Sequence, residues 1–481
     1  MVCLADKNEQ AVQRARELAQ RAYEAQKLFA NYSQDKVDRI VESMAKAGYE
    51  HAARLAKLAV EETGIGRESD KIIKNQFASK NLYESIKDTK TVGVLNRDEA
   101  RKIVEIAAPT GVIVAIIPTT NPTSTVIFKS MISLKARNSV VISPHPRAIK
   151  ACVETARIME DAAVLAGAPK GLIQCLDVAS MAAATELMTC EYTSVILATG
   201  GSALVKAAYS SGKPAYGVGP GNVPAFIERS ADVSQALDRI LMSKTFDYGT
   251  ICASEQAIVT ERVIANQVRA QLQQKGGYFV TGADKEKLEK TVIKETGGVN
   301  PDVVGKSPQV IADLAGITIP AGTRVLVADL DGVGKEYPLS AEKLCPVLGF
   351  YEVDNWEAAC DLCIRLLQFG GLGHSLVIHS NNEQVVMEFA MKKPVFRILC
   401  NTPSAQGAIG YTTGLAPSLT LGCGTFGGNI TSDNVTARHL MNVKRLAYYN
   451  PPAEFADGGA AKTGYRYTRA QILAAVERAL S

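Results

Sequence analysis

Residues 111–117 read Gly111-Val112-Ile113-Val114-Ala115-Ile116-Ile117, an apolar run without a polar side chain. The run is too short to cross a bilayer, which takes about 20 apolar residues. A continuous apolar strand is buried on both faces, and such strands occur mainly in parallel sheets that have helices on both sides. The run therefore predicts a strand of an α/β fold.

Strand-like and helix-like segments alternate after this run. Ser139-Val140-Val141-Ile142-Ser143 reads as the next strand, and a helix begins near Pro146. Further strand candidates lie at 172–176, 194–198, 256–260, 325–328, 346–353 and 375–379. This alternation is typical of a doubly wound α/β sheet. Before the run, residues 7–62 predict helices, and residues 91–106 predict a hairpin with its turn at 96–99.

The charges of the 481 residues nearly cancel, with 53 Lys and Arg against 49 Asp and Glu. A net charge of +4 gives no electrostatic reason to expect binding to nucleic acid or to a membrane surface. The first 30 residues are polar, and the ten cysteines are scattered. Together these features predict a reducing, cytoplasmic location. We predict no metal site, because Cys360 and Cys363 have no second pair and no His at ligand distance.

One segment contains a candidate nucleophile. It reads Thr245-Phe246-Asp247-Tyr248-Gly249-Thr250-Ile251-Cys252-Ala253-Ser254-Glu255-Gln256. Cys252 lies between a glycine-containing loop and the start of a predicted strand. A loop position leaves a thiol accessible, and its thiolate is a strong nucleophile. Taken alone, this makes Cys252 one candidate among ten cysteines.

Several segments match one enzyme family in order and spacing. They are 118–125, 143–147, 198–202, 217–224, 246–256, 342–347, 371–374 and 425–428. With them the chain resembles the aldehyde dehydrogenase superfamily, and within it the CoA-acylating acetaldehyde and propionaldehyde dehydrogenases of the microcompartment type. The match covers about residues 8–450. It implies an aldehyde-dehydrogenase-like α/β fold, in which a Rossmann-type cofactor domain and an α/β catalytic domain carry β oligomerisation arms.

The resemblance implies that Cys252 attacks an aldehyde carbonyl to give a thiohemiacetal. The oxyanion that forms needs preorganised donors, and the Asn121 side chain and the Cys252 backbone N–H would supply them. The common superfamily string has its Asn one position earlier, where this chain has Thr120, so the donor stays open between Thr120 and Asn121. An ordinary Asn-Pro turn is the structural alternative for Asn121. The aldehyde itself would contact Thr120, Ile251 and Phe426.

The resemblance also assigns cofactor residues to predicted strand ends. Thr199-Gly200-Gly201-Ser202 opens a helix, where small residues and free N–H groups let a pyrophosphate approach closely; a plain tight turn is the alternative. Glu342 matches the family carboxylate that holds the nicotinamide ribose. Ser143 replaces a lysine that commonly binds the adenine ribose, and Arg147 could accept a 2′-phosphate. NAD is therefore favoured, and NADP stays open. The remaining cofactor residues are Thr119, Pro144, His145 and Gly219.

A missing glutamate points to the second substrate. Hydrolytic aldehyde dehydrogenases carry a glutamate upstream of the cysteine that activates water against the thioester. Here the aligned position is Val218, and no carboxylate lies between Tyr216 and Phe226. A thioester at Cys252 would persist until a better nucleophile arrives, and the thiol of coenzyme A suits that role. His374 would take a proton from that thiol or orient a phosphate, or it would only hydrogen-bond within its loop.

The resemblance further divides the chain into domains. They are a cofactor-binding domain at 1–228 with an oligomerisation hairpin at about 88–107, a catalytic domain at 229–431, an oligomerisation arm at 432–453, and a linker with an amphipathic helix at 454–481. A homodimer or homotetramer is expected. The final helix, with Ile472, Leu473, Val476 and Leu480 on one stripe, either docks onto a microcompartment shell or packs on its own domain. The location would be the bacterial cytoplasm, with a microcompartment as the finer alternative.

The expected activity is reversible, NAD-dependent and CoA-acylating oxidation of propionaldehyde or acetaldehyde. Three alternatives remain. A hydrolytic aldehyde dehydrogenase would need a carboxylate from elsewhere, such as Glu255, and an acyl-phosphate reductase would need a basic cluster near Cys252. A non-catalytic cargo or scaffold protein would keep only the fold.

Overall fold

The computed structural model describes residues 4–178, 180–450 and 468–480. Its N-terminal part is helical, as predicted. The helices are α1 (Leu4–Phe29), α2 (Gln34–Glu50), α3 (Ala52–Thr63), α4 (Glu68–Gln76) and α5 (Leu82–Ile86), and they are followed by strands β1 (Val94–Asp98) and β2 (Ile103–Pro109). A π-helical turn, Phe77–Asn81, joins α4 to α5. The chain contains two compact units, 1–93 with 107–442, and 94–106 with 443–481.

The first sheet of the larger unit is built around the apolar run. Its strands are β3 (Val112–Ile116), β4 (Ser139–Ser143), β5 (Ile173–Cys175), β6 (Thr193–Thr199) and β7 (Ala215–Val218). All pairs are parallel, and the spatial order is β5-β4-β3-β6-β7. The helices that connect them are α6 (Pro122–Lys135), α7 (Ile149–Leu165), α8 (Met181–Thr189) and α9 (Ser202–Tyr209).

Strand β3 lies at the centre of this sheet, and all five of its residues are buried. Ile113 and Ala115 pack into an apolar cluster on one face of the sheet, while Val112, Val114 and Ile116 pack into another on the opposite face. The chain passes from β3 to β4 and β5 on one side, and then to β6 and β7 on the other. Because the order reverses between β3 and β6, the carboxyl ends of these strands form the crevice where open α/β sheets bind ligands.

The second sheet of the larger unit has seven strands, also parallel. They are β8 (Val223–Ile227), β9 (Glu255–Glu261), β10 (Gly277–Phe279), β11 (Val325–Asp329), β12 (Val347–Val353), β13 (Gly373–His379) and β14 (Val395–Cys400), in the spatial order β10-β11-β12-β9-β8-β13-β14. The helices are α10 (Val233–Thr245), α11 (Arg262–Gln274), α12 (Gly282–Val292), α13 (Pro308–Ala315), α14 (Trp356–Phe369), α15 (Glu383–Lys392) and α16 (Ser404–Ala408). The α/β prediction is confirmed, with two parallel sheets.

The smaller unit contains a three-stranded sheet in the order β1-β2-β15, where β15 is Met441–Ala447. Strands β1 and β2 are antiparallel, as the predicted hairpin requires. The turn lies later in the chain than predicted, however. Asn96 and Asp98 belong to β1 and pair with residues of β2. The chain reverses over residues 99–102, where Lys102 has a φ of 52°. The domain boundaries at 228 and 431 stay predictions.

The last described segment is helix α17 (Arg469–Leu480). Thr468 caps it: the Gln471 N–H donates to Thr468 Oγ1, and the Thr468 N–H donates to Gln471 Oε1. Ile472 and Leu473 are more than half exposed. The predicted linker before Thr468, and the side chains of Val476 and Leu480, lie outside the described residues. Within the described ranges, no helix has the length and apolar content needed to cross a membrane.

Candidate active site

A cavity of about 290 Å³ lies at the carboxyl ends of β3 and β6. It is lined by segments 117–121, 199–201, 218–220 and 250–252, together with single residues from elsewhere in the chain. Most of the predicted site residues meet there. They are Thr119, Thr120, Asn121, His145, Thr199, Gly200, Gly201, Gly219, Ile251, Cys252 and Glu342.

Other predicted residues do not line this cavity. Ser143 and Pro144 are buried at the end of β4. Ser202 is the first residue of α9, and its side chain lies outside the described part of the chain. Phe426 is half-exposed on a short turn, where its ring stacks on Phe396 at 5.3 Å between centroids. Phe426 is therefore not among the described residues that line the cavity, and its contact with the aldehyde stays a prediction.

Cys252 follows an unusual backbone segment. After α10, three consecutive residues take left-handed conformations, Asp247 (φ 50°), Tyr248 (φ 52°) and Gly249 (φ 76°). Such a conformation costs a non-glycine residue about 1–3 kcal/mol, so other contacts must hold it in place. Three residues later the chain reaches Cys252, and β9 begins at Glu255. The candidate nucleophile thus lies between a constrained turn and a buried strand.

His374 contacts Cys252 but is not among the described residues that line the cavity. The Cys252 Sγ lies 3.1 Å from His374 Nε2, and His374 Nδ1 lies 3.0 Å from Ser375 Oγ. Burial, with the nearby Arg397 guanidinium, lowers the pKa of His374 to about 3. Burial, with the neighbouring Glu342 carboxyl, raises the pKa of Cys252 to about 12. Both groups are therefore neutral in the resting protein.

Glu342 is the one carboxylate among the described residues that line the cavity. Its Oε1 accepts a hydrogen bond of 3.1 Å from the Gly221 N–H. Burial raises the pKa of Glu342 to about 8. Gly221 has no room for a side chain, because a Cβ there would lie 2.1 Å from the carbonyl oxygen of Cys252.

Val218 ends β7 and lines the cavity without a carboxylate nearby on its own strand. Glu255 does not replace the missing base: its Oε1 accepts a hydrogen bond of 2.9 Å from the Ser404 N–H at the start of α16. That contact turns the carboxyl toward α16, and Glu255 is not among the cavity-lining residues described.

Two cationic side chains lie near Cys252 that no sequence motif indicated. Lys74 of α4 lines the cavity. Arg397 of β14 donates through Nε to Ser375 Oγ at 3.3 Å and through Nη2 to the Gly373 carbonyl at 3.3 Å. A basic cluster near the nucleophile was the feature expected of an acyl-phosphate reductase. However, both cations are buried and hydrogen-bonded to protein atoms, so neither is accessible for binding a phosphate.

The strand ends that face the cavity have the polar groups that a dinucleotide needs. The Oγ1 atoms of Thr119 and Thr199 are buried and make no hydrogen bond to the described protein atoms. Gly201 lines the cavity and stands at the N-cap position of α9, whose first N–H groups have no partner within the helix. These residues fit a nicotinamide dinucleotide, because a bound cofactor would give both hydroxyls a partner.

A carboxylate already occupies the start of the neighbouring helix. Glu62, at the end of α3, accepts hydrogen bonds from the backbone N–H groups of Lys150 (2.8 Å) and Ala151 (2.7 Å) at the first turn of α7. Helix N-termini attract anions. At α7 that position is filled by the Glu62 carboxylate. Lys150, the first of its two N–H donors, lies three residues after Arg147 in the sequence.

Comparison with known proteins shows which family the chain is similar to. A model of the aldehyde dehydrogenase family matches residues 2–303. The aldehyde-alcohol dehydrogenase of Clostridium acetobutylicum is 45% identical over 429 residues, which cover 88% of this chain and 49% of the relative. The chain thus spans about half the length of the curated aldehyde-alcohol dehydrogenases it matches.

Two solved structures are similar over nearly their whole length. One is an acetylating aldehyde dehydrogenase from Geobacillus thermoglucosidasius, with a TM-score of 0.92 and 53% identity, covering 93% of this chain and 99% of the other. The second is a propionaldehyde dehydrogenase from Rhodopseudomonas palustris with bound propionyl-CoA. Its TM-score is 0.81 at 27% identity, and the match covers 90% of this chain and 94% of the other.

Proposed function

The chain belongs to the aldehyde dehydrogenase family, and from this we propose that it is a CoA-acylating enzyme. It oxidises a short aliphatic aldehyde, propionaldehyde or acetaldehyde, with NAD and transfers the acyl group to coenzyme A. One observation carries the proposal: the cavity combines the thiol of Cys252 with Val218 at the position of the hydrolytic glutamate. The similar structures, one named acetylating and one holding propionyl-CoA, support the same activity.

In the first step Cys252 attacks the aldehyde carbonyl. His374 Nε2, 3.1 Å from the sulfur, accepts the thiol proton. Because a charged imidazolium is strongly disfavoured at this buried position, we expect proton transfer and carbonyl attack to occur together. The Asn121 side-chain N–H and the Cys252 backbone N–H donate to the oxyanion of the thiohemiacetal.

A nicotinamide dinucleotide, when bound, would supply the acceptor for the hydride of the thiohemiacetal carbon. The residues that would hold the cofactor are Thr119 and Thr199 through their free hydroxyls, Gly200 and Gly201 at the start of α9, and Glu342 at the ribose. Loss of the hydride leaves an acyl thioester on Cys252. The proton on His374 returns to solvent, since its pKa is about 3.

The thioester then meets a thiol rather than activated water. Glu342, the cavity carboxylate, is hydrogen-bonded to Gly221, and its raised pKa leaves it largely protonated at neutral pH. A protonated carboxyl is a poor general base. The thiol of coenzyme A transfers its proton to neutral His374 and attacks the thioester carbonyl. Cys252 leaves and recovers the proton from His374.

We favour NAD over NADP because of Glu62. The carboxylate of Glu62 occupies the first amides of α7, beside the strand end of β4 where the adenine ribose is expected. A 2′-phosphate at Arg147 would also lie near this negative charge, because Glu62 and Arg147 line the same surface depression. The carboxylate therefore disfavours NADP.

The activity is tested by the absorbance of NADH with propionaldehyde and NAD+, with and without coenzyme A. We expect one equivalent of NADH per active site without coenzyme A and continuous turnover with it. The Cys252→Ala variant should show neither. Steady turnover without coenzyme A, with release of the free acid, would mean that another group activates water and that the acylating proposal is wrong.

We also propose that the enzyme is a homodimer or homotetramer of the bacterial cytoplasm. The strands β1, β2 and β15 would be its oligomerisation arms, and α17, with exposed Ile472 and Leu473, would attach it to a microcompartment shell. The shell proposal is tested by deleting residues 454–481. Co-purification of the truncated enzyme with shells at the level of the full chain would exclude this role for the helix.

A further inference from the structure

A buried charge cluster joins α4 to the turn before Cys252. The Nζ atoms of Lys71 and Lys74 lie 2.9 and 2.5 Å from Oδ2 of Asp247. Lys71 is 2% exposed, Lys74 is 3% exposed and Asp247 is fully buried. The two lysines are three positions apart on one helix, which brings them to the same face. Burying such charges is costly unless each is well paired, so the contacts of each lysine indicate its role.

Lys74 donates to three oxygen atoms, which matches the three N–H groups of an ammonium. Besides Asp247, they are Thr250 Oγ1 at 2.9 Å and Asn121 Oδ1 at 2.6 Å. Both of these residues line the cavity. Lys71 instead donates to the backbone carbonyl of Thr120 at 2.9 Å. Of the two lysines, Lys74 is therefore the one that hydrogen-bonds to the Asn121 side chain.

This contact fixes which way the Asn121 amide faces. An ammonium only donates, so the atom toward Lys74 must be the amide oxygen, and the NH2 group must lie on the opposite side. There Asn121 Nδ2 donates to Thr120 Oγ1 at 3.0 Å. An amide NH2 has two N–H donors, and Thr120 takes one of them. The cation on Oδ1 also polarises the amide, which strengthens its N–H groups as donors.

We propose that Lys74, anchored by Asp247, is a positioning residue that orients the Asn121 amide so that one N–H is aimed at the oxyanion formed on the substrate. This inference rests on the proposed attack of Cys252 on a carbonyl. It assigns Asn121, rather than Thr120, as the side-chain donor, with Thr120 as a second anchor for the amide. The same ammonium, through Thr250 and Asp247, ties the donor to the turn that presents Cys252.

The alternative is that Lys74 only stabilises the left-handed turn at Asp247 and Tyr248. The two roles make different predictions. A structural role would disturb every reaction of Cys252, including direct alkylation, which forms no oxyanion. A positioning role would slow only those reactions that pass through one.

The test compares Lys74→Met with Lys135→Met. Lys135 is equally buried but contacts Asp38 and the Lys87 carbonyl, away from the cavity. For Lys74→Met we expect the single-turnover rate of NADH formation to fall about 10- to 100-fold, somewhat less than the loss of about 10²–10³-fold when an oxyanion donor is removed outright. The KM for propionaldehyde and the rate of Cys252 alkylation by iodoacetamide should change less than about threefold, because the Lys74 ammonium is occupied by Asn121, Asp247 and Thr250 and makes no hydrogen bond to the sulfur. Lys135→Met should retain the wild-type single-turnover rate.

A double-mutant cycle with Asn121→Ala separates the two roles further. If Lys74 acts through Asn121, Lys74→Met should add almost no further loss once Asn121 is alanine. Full additivity, or a parallel loss of alkylation, overturns the proposal. If Lys74→Met does not fold, Lys74→Arg is the second variant: it keeps the charge beside Asp247, but its planar fork displaces the Asn121 oxygen. We expect the same slow oxidation with normal alkylation.

Acylation by p-nitrophenyl acetate keeps this test independent of the aldehyde activity. The ester also forms an oxyanion at Cys252, but it needs neither nicotinamide nor coenzyme A. Lys74→Met should slow the release of p-nitrophenol by the same factor as NADH formation. If the wild-type enzyme is acylated by the ester but does not oxidise aldehydes, the proposed function fails while the role of Lys74 stands. If Lys74→Met releases p-nitrophenol at the wild-type rate, the role of Lys74 fails.

Discussion

Cys252 and His374 are in contact, yet they do not form the charged pair that cysteine enzymes often use. Burial works against both charges, since it raises the pKa of the thiol and lowers that of the imidazole. Glu342 and Arg397 add to the same effect. The resting nucleophile is thus a thiol beside a neutral base. We expect the thiol to lose its proton only as it attacks a carbonyl.

This arrangement predicts the pH dependence of Cys252 alkylation. Between pH 6 and pH 9 the thiolate fraction of a group with a pKa of about 12 rises about tenfold per pH unit. The alkylation rate by iodoacetamide, followed on the Cys252 peptide by mass spectrometry, should rise in the same proportion up to about pH 8 and less steeply above it, because Glu342, whose pKa is about 8, then ionises beside the thiol. The exposed thiol of Cys400 serves as the internal control and should react faster at neutral pH. A plateau near neutral pH would instead reveal a thiolate–imidazolium pair.

The role of Val218 can be tested by restoring the absent carboxylate. In Val218→Glu, a carboxylate enters the cavity where the proposed Cys252 thioester would form, and it can activate water. A general base contributes about 10²–10⁴-fold, so we expect at least about a tenfold rise in NADH turnover without coenzyme A, with free acid as the product. Val218→Gln is the matched control, because it adds the same bulk without a base. Equal rates for the two variants would show that position 218 does not govern hydrolysis.

At the level of single residues, the sequence predicted those that lie in recognisable strings. Cys252, Asn121 and Glu342 belong to this group, and all three line the cavity. Lys74 and Asp247 form a contact between residues 173 positions apart, which no local pattern reports. A signal was present in the two lysines three positions apart on α4, but without the fold they read as an exposed face.

Among the helices, α7 offers a test of cofactor choice. Its first turn is capped by Glu62 of α3. In Glu62→Gln the amide oxygen keeps one of the two backbone N–H groups, the NH2 group cannot accept the other, and the negative charge is removed. The affinity for NADP+, measured by quenching of protein fluorescence, should rise about two- to fivefold, the range expected for charges near a surface. NAD+ binding should stay unchanged.

Glu61→Gln provides the comparison for this helix. Glu61 is the exposed neighbour and lies 3.9 Å from Lys57. Its substitution removes the same charge from the same turn of α3 without touching α7. If both variants gain NADP+ affinity equally, the overall electrostatic potential of this surface, and not the Glu62 cap of α7, determines the preference for NAD over NADP.

Among the strands, prediction succeeded where apolar runs were long. Strands β4, β9, β11 and β13 lie at the predicted positions, and the family resemblance is confirmed by the match to residues 2–303. Strand β8 was missed because Pro224 lies in it, and proline is normally confined to edge strands. The sheet accommodates it at a register shift between Val223 and Pro224. This register shift depends on the pairing of β8 with β9, so the sequence of β8 alone does not reveal it.

For the whole molecule, the proposed oligomer can be tested on the smaller unit. Leu446 of β15 is 46% exposed in the single chain. If β15 forms an oligomerisation arm, Leu446→Asp places a charge in an apolar contact, and light scattering after size-exclusion chromatography should show a smaller species than the wild type. Val263→Asp changes an exposed side chain on α11 and should leave the mass unchanged. A wild-type monomer, or equal behaviour of both variants, would exclude the arm.

The charge cluster of Lys71, Lys74 and Asp247 also bears on how the protein reaches its native state. It connects positions separated by 173 and 176 residues, and contacts of such long range form slowly because a large loop must close first. The turn that presents Cys252 contains two non-glycine residues with positive φ, Asp247 and Tyr248, which contacts such as this cluster must hold in place. Refolding chains should therefore regain their helical circular dichroism before the thiol acquires its slow native alkylation rate, so the candidate site is among the last parts of this chain to be completed.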